Sequence, residues 1–336
     1  MLSVLTRPLG RAIAGGVLVV LVAMIWFLLQ VFPVGGTGRE VIVTVHAGDS
    51  LSTIANEMHA QGVIGSPLAF RIDMMIFGAL VPHKGSYRIA QNSSFASVKA
   101  IFGAAPNVQV VTVTPGLTLH EVALQIASEV SNAFANSFVL DATHAAKLSS
   151  YQPNDSLEGL IGVGNYVIKP GEKPGSLLGR MTSAFDVQAA SVGFSPASSV
   201  DGLNAYQLLI AASIVEKEGY YAFNMPQVAR VIFNRLRIGQ PLQMDSTVLY
   251  SLGLDGGKVT PKMLLLHNPY NTYWIGGLTP TPICTVSTTA LKSVLHAPPG
   301  PWLYFVLMDQ SGRMAFANTF AEQLANEQKA AQGGLG

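Results

Sequence analysis

The hydrophobic residues are spread unevenly along the chain, and the longest apolar run lies near its amino end. Residues 12–32, AIAGGVLVVLVAMIWFLLQVF, carry no charge. A helix of that length spans about 31 Å, close to the hydrocarbon thickness of a bilayer, which predicts a transmembrane helix. Arg7 and Arg11 precede the run, so the positive-inside rule predicts a cytoplasmic amino terminus, residues 1–11. We therefore expect a single-pass inner-membrane protein with its remainder outside the cytoplasm; a cleaved signal peptide is the alternative.

Beyond a Gly-rich linker, residues 33–40, the pattern changes to alternating Val and Thr. The segments VTVHAGDSLSTIA (43–55) and VTVTPGLTLHEVA (111–123) are identical at six of thirteen positions. Each segment predicts a strand, a turn with glycine, and a helix that begins at Ser or Thr. We therefore expect either two related small modules or one β-α unit that is used twice.

The first of these segments resembles the start of a LysM-like module. The matching positions are Val45, Gly48, Asp49, Ser50, Leu51, Ile54 and Ala55. The resemblance implies binding to chains that contain N-acetylglucosamine, such as peptidoglycan. Asp49 and Ser50 are equally the residues that a helix cap needs, so both interpretations stay open. Residues 84–103 predict a strand, a loop and a helix that complete the module, which we place at 41–105.

A second hydrophobic pattern predicts a buried helix from Ala205 to Glu218. Its body, YQLLIAASIV, is apolar on nearly every face, Asn204 is a plausible cap, and Gly219 follows its end. Two glutamates interrupt the pattern near this end. At 100° per residue Glu216 and Glu218 point about 160° apart, which predicts that they do not serve one site together.

A carboxyl group against apolar walls has a raised pKa, which suits it to donate a proton near neutral pH. Either glutamate could be such a general acid, and a cleft at the helix end favours Glu218. Two structural alternatives compete with this hypothesis. The first is a solvated helix terminus, and the second is a buried salt bridge to Arg230 or Arg235.

Polar residues on the following segments are candidates for substrate binding. A helix is predicted over 224–239 with an Asn/Arg face, and Asp245 is predicted to cap a third helix. The loop 267–280 mixes aromatic rings with amides and hydroxyls, which suits sugar rings, although a merely rigid loop is the alternative. The candidates are Asn234, Arg235, Gln243, Asp245, Thr247, Tyr270, Asn271 and Tyr273.

The composition of the chain excludes some classes of binding partner and cofactor. The chain of 336 residues has a net charge of +1 and no Lys/Arg-rich run, so we expect no nucleic-acid partner. Its single cysteine, Cys284, excludes an intramolecular disulfide. The histidines are scattered without metal-ligand spacing, and we expect neither a metal nor a cofactor.

Several blocks of sequence together resemble the membrane-anchored endolytic murein transglycosylase family (MltG, YceG-like). They are ASIVEKE, FNRLRIGQPLQMDSTVLY, NPYNTYWIGGL and LKSVLHAPPGPWLYFV. The resemblance implies cleavage of the β-1,4 bond between N-acetylmuramic acid and N-acetylglucosamine in nascent peptidoglycan strands, with 1,6-anhydro ends. It places the family's catalytic glutamate, as acid and then base, on Glu218, and implies partnership with peptidoglycan synthases.

The resemblance also sets the expected fold. We expect an α+β protein with one transmembrane helix, the LysM-like module, a catalytic α+β domain (106–328) with its catalytic residue on a buried helix, and a flexible tail (329–336). Some motif positions differ from the family pattern: Gly219 stands where the family has Thr, and Gln323 where it has His. The segment EGLIGVGNY (158–166) retains the family's Glu158, Gly159 and Tyr166 but lacks its Pro, Asp and Thr. These differences leave open an alternative, a catalytically impaired peptidoglycan-binding or scaffold protein of the same fold.

Overall fold

The computed structural model describes residues 8–78, 82–169, 171–219 and 221–333, with side chains from residue 15 onward. The chain forms two compact units, Met1–Val110 and Val111–Gly336. Both ends of the chain reach outside the described residues, so the predicted amino terminus, 1–11, and tail, 329–336, fall partly there.

The first helix, α1, spans Pro8–Val31 and includes most of the long apolar run. Near its carboxyl end, Phe27 and Val31 pack against the hydrophobic core of the first unit. The transmembrane prediction for residues 12–32 is nevertheless wrong. Over the described residues, the structure contains no helix with the length and apolar character needed to cross a membrane. The predicted single-pass inner-membrane localisation is wrong for the same reason.

The first unit joins a two-stranded sheet to three further helices. The elements are β1 (Glu40–Val45), α2 (Leu51–Ala60), α3 (Pro67–Phe77), β2 (Gly85–Ala90) and α4 (Phe95–Gly103). Strands β1 and β2 are antiparallel, with Val43 opposite Tyr87. Gly48 adopts a φ of 86° in the turn after β1, and Ser50 caps α2 by accepting the Thr53 N–H. Strand, turn and helix thus follow one another in the order that the sequence pattern predicts.

The second unit is mainly helical with small two-stranded sheets. Its elements are β3 (Val110–Val113), α5 (Leu119–Glu129), α6 (Asn132–Thr143), β4 (Gly164–Val167), α7 (Pro174–Ser191), β5 (Ser199–Val200), β6 (Leu203–Asn204), α8 (Ala205–Glu218), α9 (Met225–Arg237), α10 (Asp245–Ser251), α11 (Pro261–Leu264), α12 (Thr288–Leu295), β7 (Tyr304–Leu307), β8 (Met314–Ala317) and α13 (Phe320–Gln332). The sheets pair β3 with β4, β5 with β6 and β7 with β8. The mixed α+β class is therefore as the sequence indicates.

Helix α8 runs through the core of the second unit. Its residues from Leu208 to Val215 are all buried, and α9, α10 and α12 pack around it. Asn204 caps the helix at the predicted position: its side chain accepts the Gln207 N–H, and the Gln207 side chain accepts the Asn204 N–H. Burial on all sides explains the apolar pattern, and it fixes the position of the two glutamates that follow.

Candidate active site

The carboxyl end of α8 opens into a cleft of about 750 Å³ in the second unit. Glu218, the last residue of α8, lines this cleft. Opposite walls come from α10, from the segment that begins α5, and from loops near residues 158 and 268–283. A concave site of this size, with acidic, hydroxyl and aromatic side chains, has the character of a small-molecule or saccharide site.

Glu218 is held by Ser246, the second residue of α10. Its Oε1 accepts hydrogen bonds from the Ser246 backbone N–H at 3.1 Å and from the Ser246 hydroxyl at 2.6 Å. Burial raises the pKa of Glu218 above its ordinary value, while the two bonds from Ser246 act in the opposite direction. Burial thus favours the protonated carboxyl group, which can act as an acid. The Ser246 donors stabilise the carboxylate that is left when the proton has gone.

Three further groups set the charge around Glu218. Asp245 raises the pKa of Glu218 by like-charge repulsion, and the guanidinium of Arg235 lowers it. The Tyr273 hydroxyl donates to Asp245 Oδ1 at 2.7 Å. Burial, followed by this hydrogen bond, raises the pKa of the Tyr273 phenol, so the phenol stays a donor.

A second carboxyl group, that of the buried Glu158, also lines the cleft. It is 6% exposed, accepts the Leu119 N–H at 3.1 Å, and accepts the Tyr250 hydroxyl at 3.1 Å. Burial raises the pKa of Glu158 to about 7 despite these bonds. The cleft therefore contains two carboxyl groups whose protonated forms are favoured by burial.

Glu216 also lines the cleft, and that the two glutamates do not serve one site together stays a prediction. The cleft runs across the end of α8 and reaches both sides of it. The Glu216 carboxylate accepts the Ser287 N–H, at the start of α12, at 2.8 Å. Arg230 instead pairs with Asp201, so Glu216 is structural through a helix cap and not through an arginine of α9.

Two of the predicted substrate-binding residues, Asp245 and Tyr270, line the cleft together with Glu218. Asp245 does not cap α10 as the sequence indicates, because the cap position is Met244 and Asp245 is the first helical residue. Its carboxylate is exposed and bonded to Tyr273 instead. The Tyr270 ring lies 4.9 Å from that of Tyr250, and its hydroxyl is 2.9 Å from the Thr281 hydroxyl.

Four other predicted residues are buried and bonded to the protein itself. Asn234 donates to the carbonyls of Gly300 and Trp302 at 2.9 and 2.8 Å. Arg235 donates to the carbonyls of Leu303 and Leu242. Thr247 and Asn271 likewise donate to backbone carbonyls, Thr247 to Met244 and Asn271 to Leu264 and Leu266. None of these four residues is among those that line the cleft.

Gln243 and Tyr273 complete the predicted set. Gln243 is exposed, has a φ of 49°, and donates its backbone N–H to the Thr272 carbonyl at 3.0 Å. Its backbone therefore shapes the turn into α10. Tyr273 acts on the site through its hydrogen bond to Asp245.

Sequence reasoning did not single out Ser246, Tyr250 or Lys217, which all line the cleft. Lys217 Nζ donates to Asp255 at 2.7 Å and to the Gly116 carbonyl at 3.1 Å, and it links two loops at the rim. Ser246 and Tyr250 are four residues apart on α10, and this spacing places them on one face of a helix. The sequence therefore contains a pattern from which the two residues could have been identified together. Among the described residues no group of three His, Cys, Asp or Glu side chains could hold a metal ion.

Comparison with known proteins identifies the family that the chain resembles. The family model described as YceG-like matches residues 43–329. An endolytic murein transglycosylase of Bacillus subtilis is 29% identical over 309 residues, which cover 86% of this chain and 84% of that protein. One from Streptococcus pneumoniae is 28% identical over 239 residues, or 63% of this chain and 43% of that protein.

A crystal structure of a YceG-like protein from Listeria monocytogenes has the same fold. It superposes with a TM-score of 0.59 at 23% identity, and the match covers 86% of this chain and 99% of that one. The sequence blocks that resemble the family, the buried helix with its terminal glutamate, and the family match over most of the chain agree. The chain belongs to the YceG-like family.

Proposed function

We propose that the protein is an endolytic lytic transglycosylase of peptidoglycan. It cleaves the β-1,4 bond between N-acetylmuramic acid and N-acetylglucosamine in glycan strands and leaves a 1,6-anhydro end. The observation that carries the proposal is Glu218, a carboxyl group with a raised pKa that lines the cleft and is held by Ser246. The relatives from Bacillus and Streptococcus that bear the name endolytic murein transglycosylase support it.

In this proposal Glu218 acts twice. As an acid it donates its proton to the glycosidic oxygen, and the bond from that oxygen to C1 of the muramic acid breaks with its electron pair left on the oxygen. As a base it then takes the proton of the C6 hydroxyl while the C6 oxygen bonds to C1. Glu218 is protonated again at the end, and no water is consumed.

Ser246 supports the interval between the two steps. Once Glu218 has lost its proton, the carboxylate accepts two hydrogen bonds from one residue, and bonds to an ionised acceptor are the stronger kind. The raised pKa of Glu218 makes the first step feasible near neutral pH, and the Ser246 donors keep the intermediate carboxylate from becoming too costly.

The glycan strand is placed along the cleft beside Asp245 and Tyr270. The Tyr270 ring supplies an apolar face that suits the flat side of a sugar, and the exposed Asp245 carboxylate accepts hydrogen bonds from sugar hydroxyls and amides. We place the binding of further N-acetylglucosamine units on the LysM-like first unit. The family likeness also supports action on nascent strands beside peptidoglycan synthases, which crosslinking in cells would test.

The test is a product assay with the purified full-length protein and uncrosslinked glycan strands. Mass spectrometry should find anhydromuramyl ends with the wild type and none with Glu218→Gln. Asp141→Asn, which changes an exposed carboxylate on α6 outside the cleft, serves as the matched control and should keep full activity.

Other outcomes point to other functions. Products heavier by one water would show hydrolysis, for which a second carboxylate would have to activate water. Binding of strands without cleavage by the wild type would overturn the proposal in favour of a peptidoglycan-binding or scaffold protein.

A further inference from the structure

Helix α10 is bonded to two carboxyl groups of the cleft, the half-buried Glu218 and the buried Glu158. Ser246 donates to Glu218 from its backbone N–H and its hydroxyl, and Tyr250, four residues later, donates its hydroxyl to Glu158. Residues four apart lie on one face of a helix, so a single face of α10 spans the two carboxyl groups. The position of α10 along this line decides how well Ser246 meets Glu218.

Glu158 is fixed on its other side by α5. Both of its carboxyl oxygens lie within hydrogen-bond distance of the Leu119 N–H, at 3.1 and 3.3 Å, at the first residue of that helix. The next residue, Gly159, has a φ of 76°, and a Cβ there would lie 2.3 Å from Pro282. The backbone of the Glu158 segment is thus packed tightly, and the side chain joins α5 to α10.

From this geometry we infer that Glu158 is a positioning residue for the reaction: through Tyr250 it holds α10 so that Ser246 meets Glu218. The inference rests on the proposed function in one respect only: the kcat that is measured is that of the proposed transglycosylase reaction. The linkage itself is a property of the protein without substrate. Tyr250 is the residue through which Glu158 acts.

The linkage has a consequence that can be measured at Glu218. Because the bonds from Ser246 favour the ionised carboxylate, a loosened α10 gives a higher pKa at Glu218. The charged and titratable groups that face Glu218 are Asp245, Arg235 and Tyr273, and none of them is changed by a substitution at Glu158 or Tyr250. Those that face Glu158 are Glu121, Tyr250, Tyr206 and Cys284.

The experiment combines Glu158→Gln, Tyr250→Phe and the double variant in the full-length protein. Tyr250→Phe should lower kcat about tenfold at little-changed KM, because Ser246 then meets the Glu218 carboxylate less well, and a hydrogen bond to a charged group is worth about that factor. Adding Glu158→Gln should lower kcat by less than a further threefold, because both changes break one linkage. The alkaline limb of the kcat/KM profile should move to higher pH in all three variants.

Two controls separate positioning from general loss of stability. Tyr151→Phe removes a buried hydroxyl that donates to the Phe194 carbonyl at 2.8 Å outside the cleft, and it should leave kcat and the alkaline limb unchanged. The Glu218 carboxyl carbon, followed by NMR during a pH titration, reports its pKa without turnover. It should titrate at higher pH in Tyr250→Phe than in the wild type.

An unshifted Glu218 titration in folded Tyr250→Phe and Glu158→Gln proteins would overturn the inference, as would effects of the two changes on kcat that multiply. The proposed function fails separately, when the wild type yields no anhydro products. In that event the NMR titration still decides the inference.

Discussion

Gly219 and Met225 approach each other so closely that a side chain at position 219 would force its neighbours to shift. A Cβ on Gly219 would lie 2.5 Å from Met225 Cγ and 2.8 Å from the Val215 carbonyl oxygen. The φ of Gly219 is −67°, an ordinary helical value, so the glycine is required by packing and not by backbone conformation. The residue directly after Glu218 therefore belongs to the packing that holds the end of α8.

Replacing Gly219 by the threonine of the family pattern should destabilise the protein. Overpacking a filled site costs about 1–3 kcal/mol, and displacement of Met225 would disturb the start of α9. We expect Gly219→Thr to lower the midpoint of urea unfolding and to lower turnover. Gly276→Ala is the matched control, because nothing lies within 4 Å of a Cβ there. If Gly219→Thr were as stable as the wild type and had a higher turnover, the Met225 side chain would have to move aside without a cost in stability.

Removal of the Ser246 hydroxyl should shift the acid strength of Glu218. Ser246→Ala deletes the 2.6 Å bond and leaves the 3.1 Å bond from the backbone N–H. The loss of a hydrogen bond to a charged group is worth about 1.5–3 kcal/mol, so the pKa of Glu218 should rise by roughly one unit or more. The pH–rate profile should extend to higher pH, while kcat near neutrality falls about tenfold.

The control for this change is Ser293→Ala on α12. Ser293 is also buried, and its hydroxyl donates to the Thr289 carbonyl at 2.8 Å. It should alter neither the rate nor the profile. If Ser246→Ala left the alkaline limb in place, the hydroxyl would not be a partner of ionised Glu218 during turnover.

The backbone frame of the site was predictable because its signals are local. The cap at Asn204, the apolar run and the terminal glutamates lie within one stretch, and helix periodicity reads them directly. The same is true of α9, where Pro226 lies in the first turn and Gly239 follows the end. Burial of α8 on all sides followed from its pattern alone.

The substrate-binding side chains were harder to predict, because the sequence does not show whether an amide side chain is buried or exposed. Asn234 and Asn271 have side chains that could bind sugars, yet both donate their amide hydrogen bonds to backbone carbonyls of the protein. Glu158 shows the opposite case. It lies 60 residues from Glu218 along the chain, and only the tertiary fold brings both to one cleft. The apolar run at the amino end has the length of a membrane span, but hydrophobic residues near its carboxyl end, Phe27 and Val31, pack against the core of the first unit instead.

The Glu216 carboxylate should stabilise α12. It accepts the N–H of Ser287, the cap residue of that helix, at 2.8 Å, where a negative charge also suits the helix dipole. Glu216→Ala should lower the free energy of unfolding by about 1–2 kcal/mol, and Glu216→Gln by less, since the amide oxygen still accepts. Urea unfolding of both variants measures the difference. Equal stability of Glu216→Ala and wild type would contradict the capping role.

Glu158 should make stability depend on pH in an unusual direction. Its folded pKa is raised to about 7 from 4.5, so between these values the folded protein holds a proton that the unfolded chain has lost. The free energy of unfolding therefore falls as pH rises through this window, by roughly 3 kcal/mol for this group alone. Below pH 4.5 the contribution is fully present, and above pH 7 it is gone.

Glu158→Gln removes the titrating group and keeps nearly the same volume. Its stability relative to wild type should therefore be lower at pH 5 than at pH 8, because only the wild type loses stability over that range. Urea unfolding followed by circular dichroism at the two pH values measures the difference, and Asp141→Asn, an exposed carboxylate, should show no such change. A difference of equal size at both pH values would mean that Glu158 titrates in the folded protein as it does in the unfolded chain, and that the burial of its carboxyl group is offset by its hydrogen bonds to Leu119 and Tyr250.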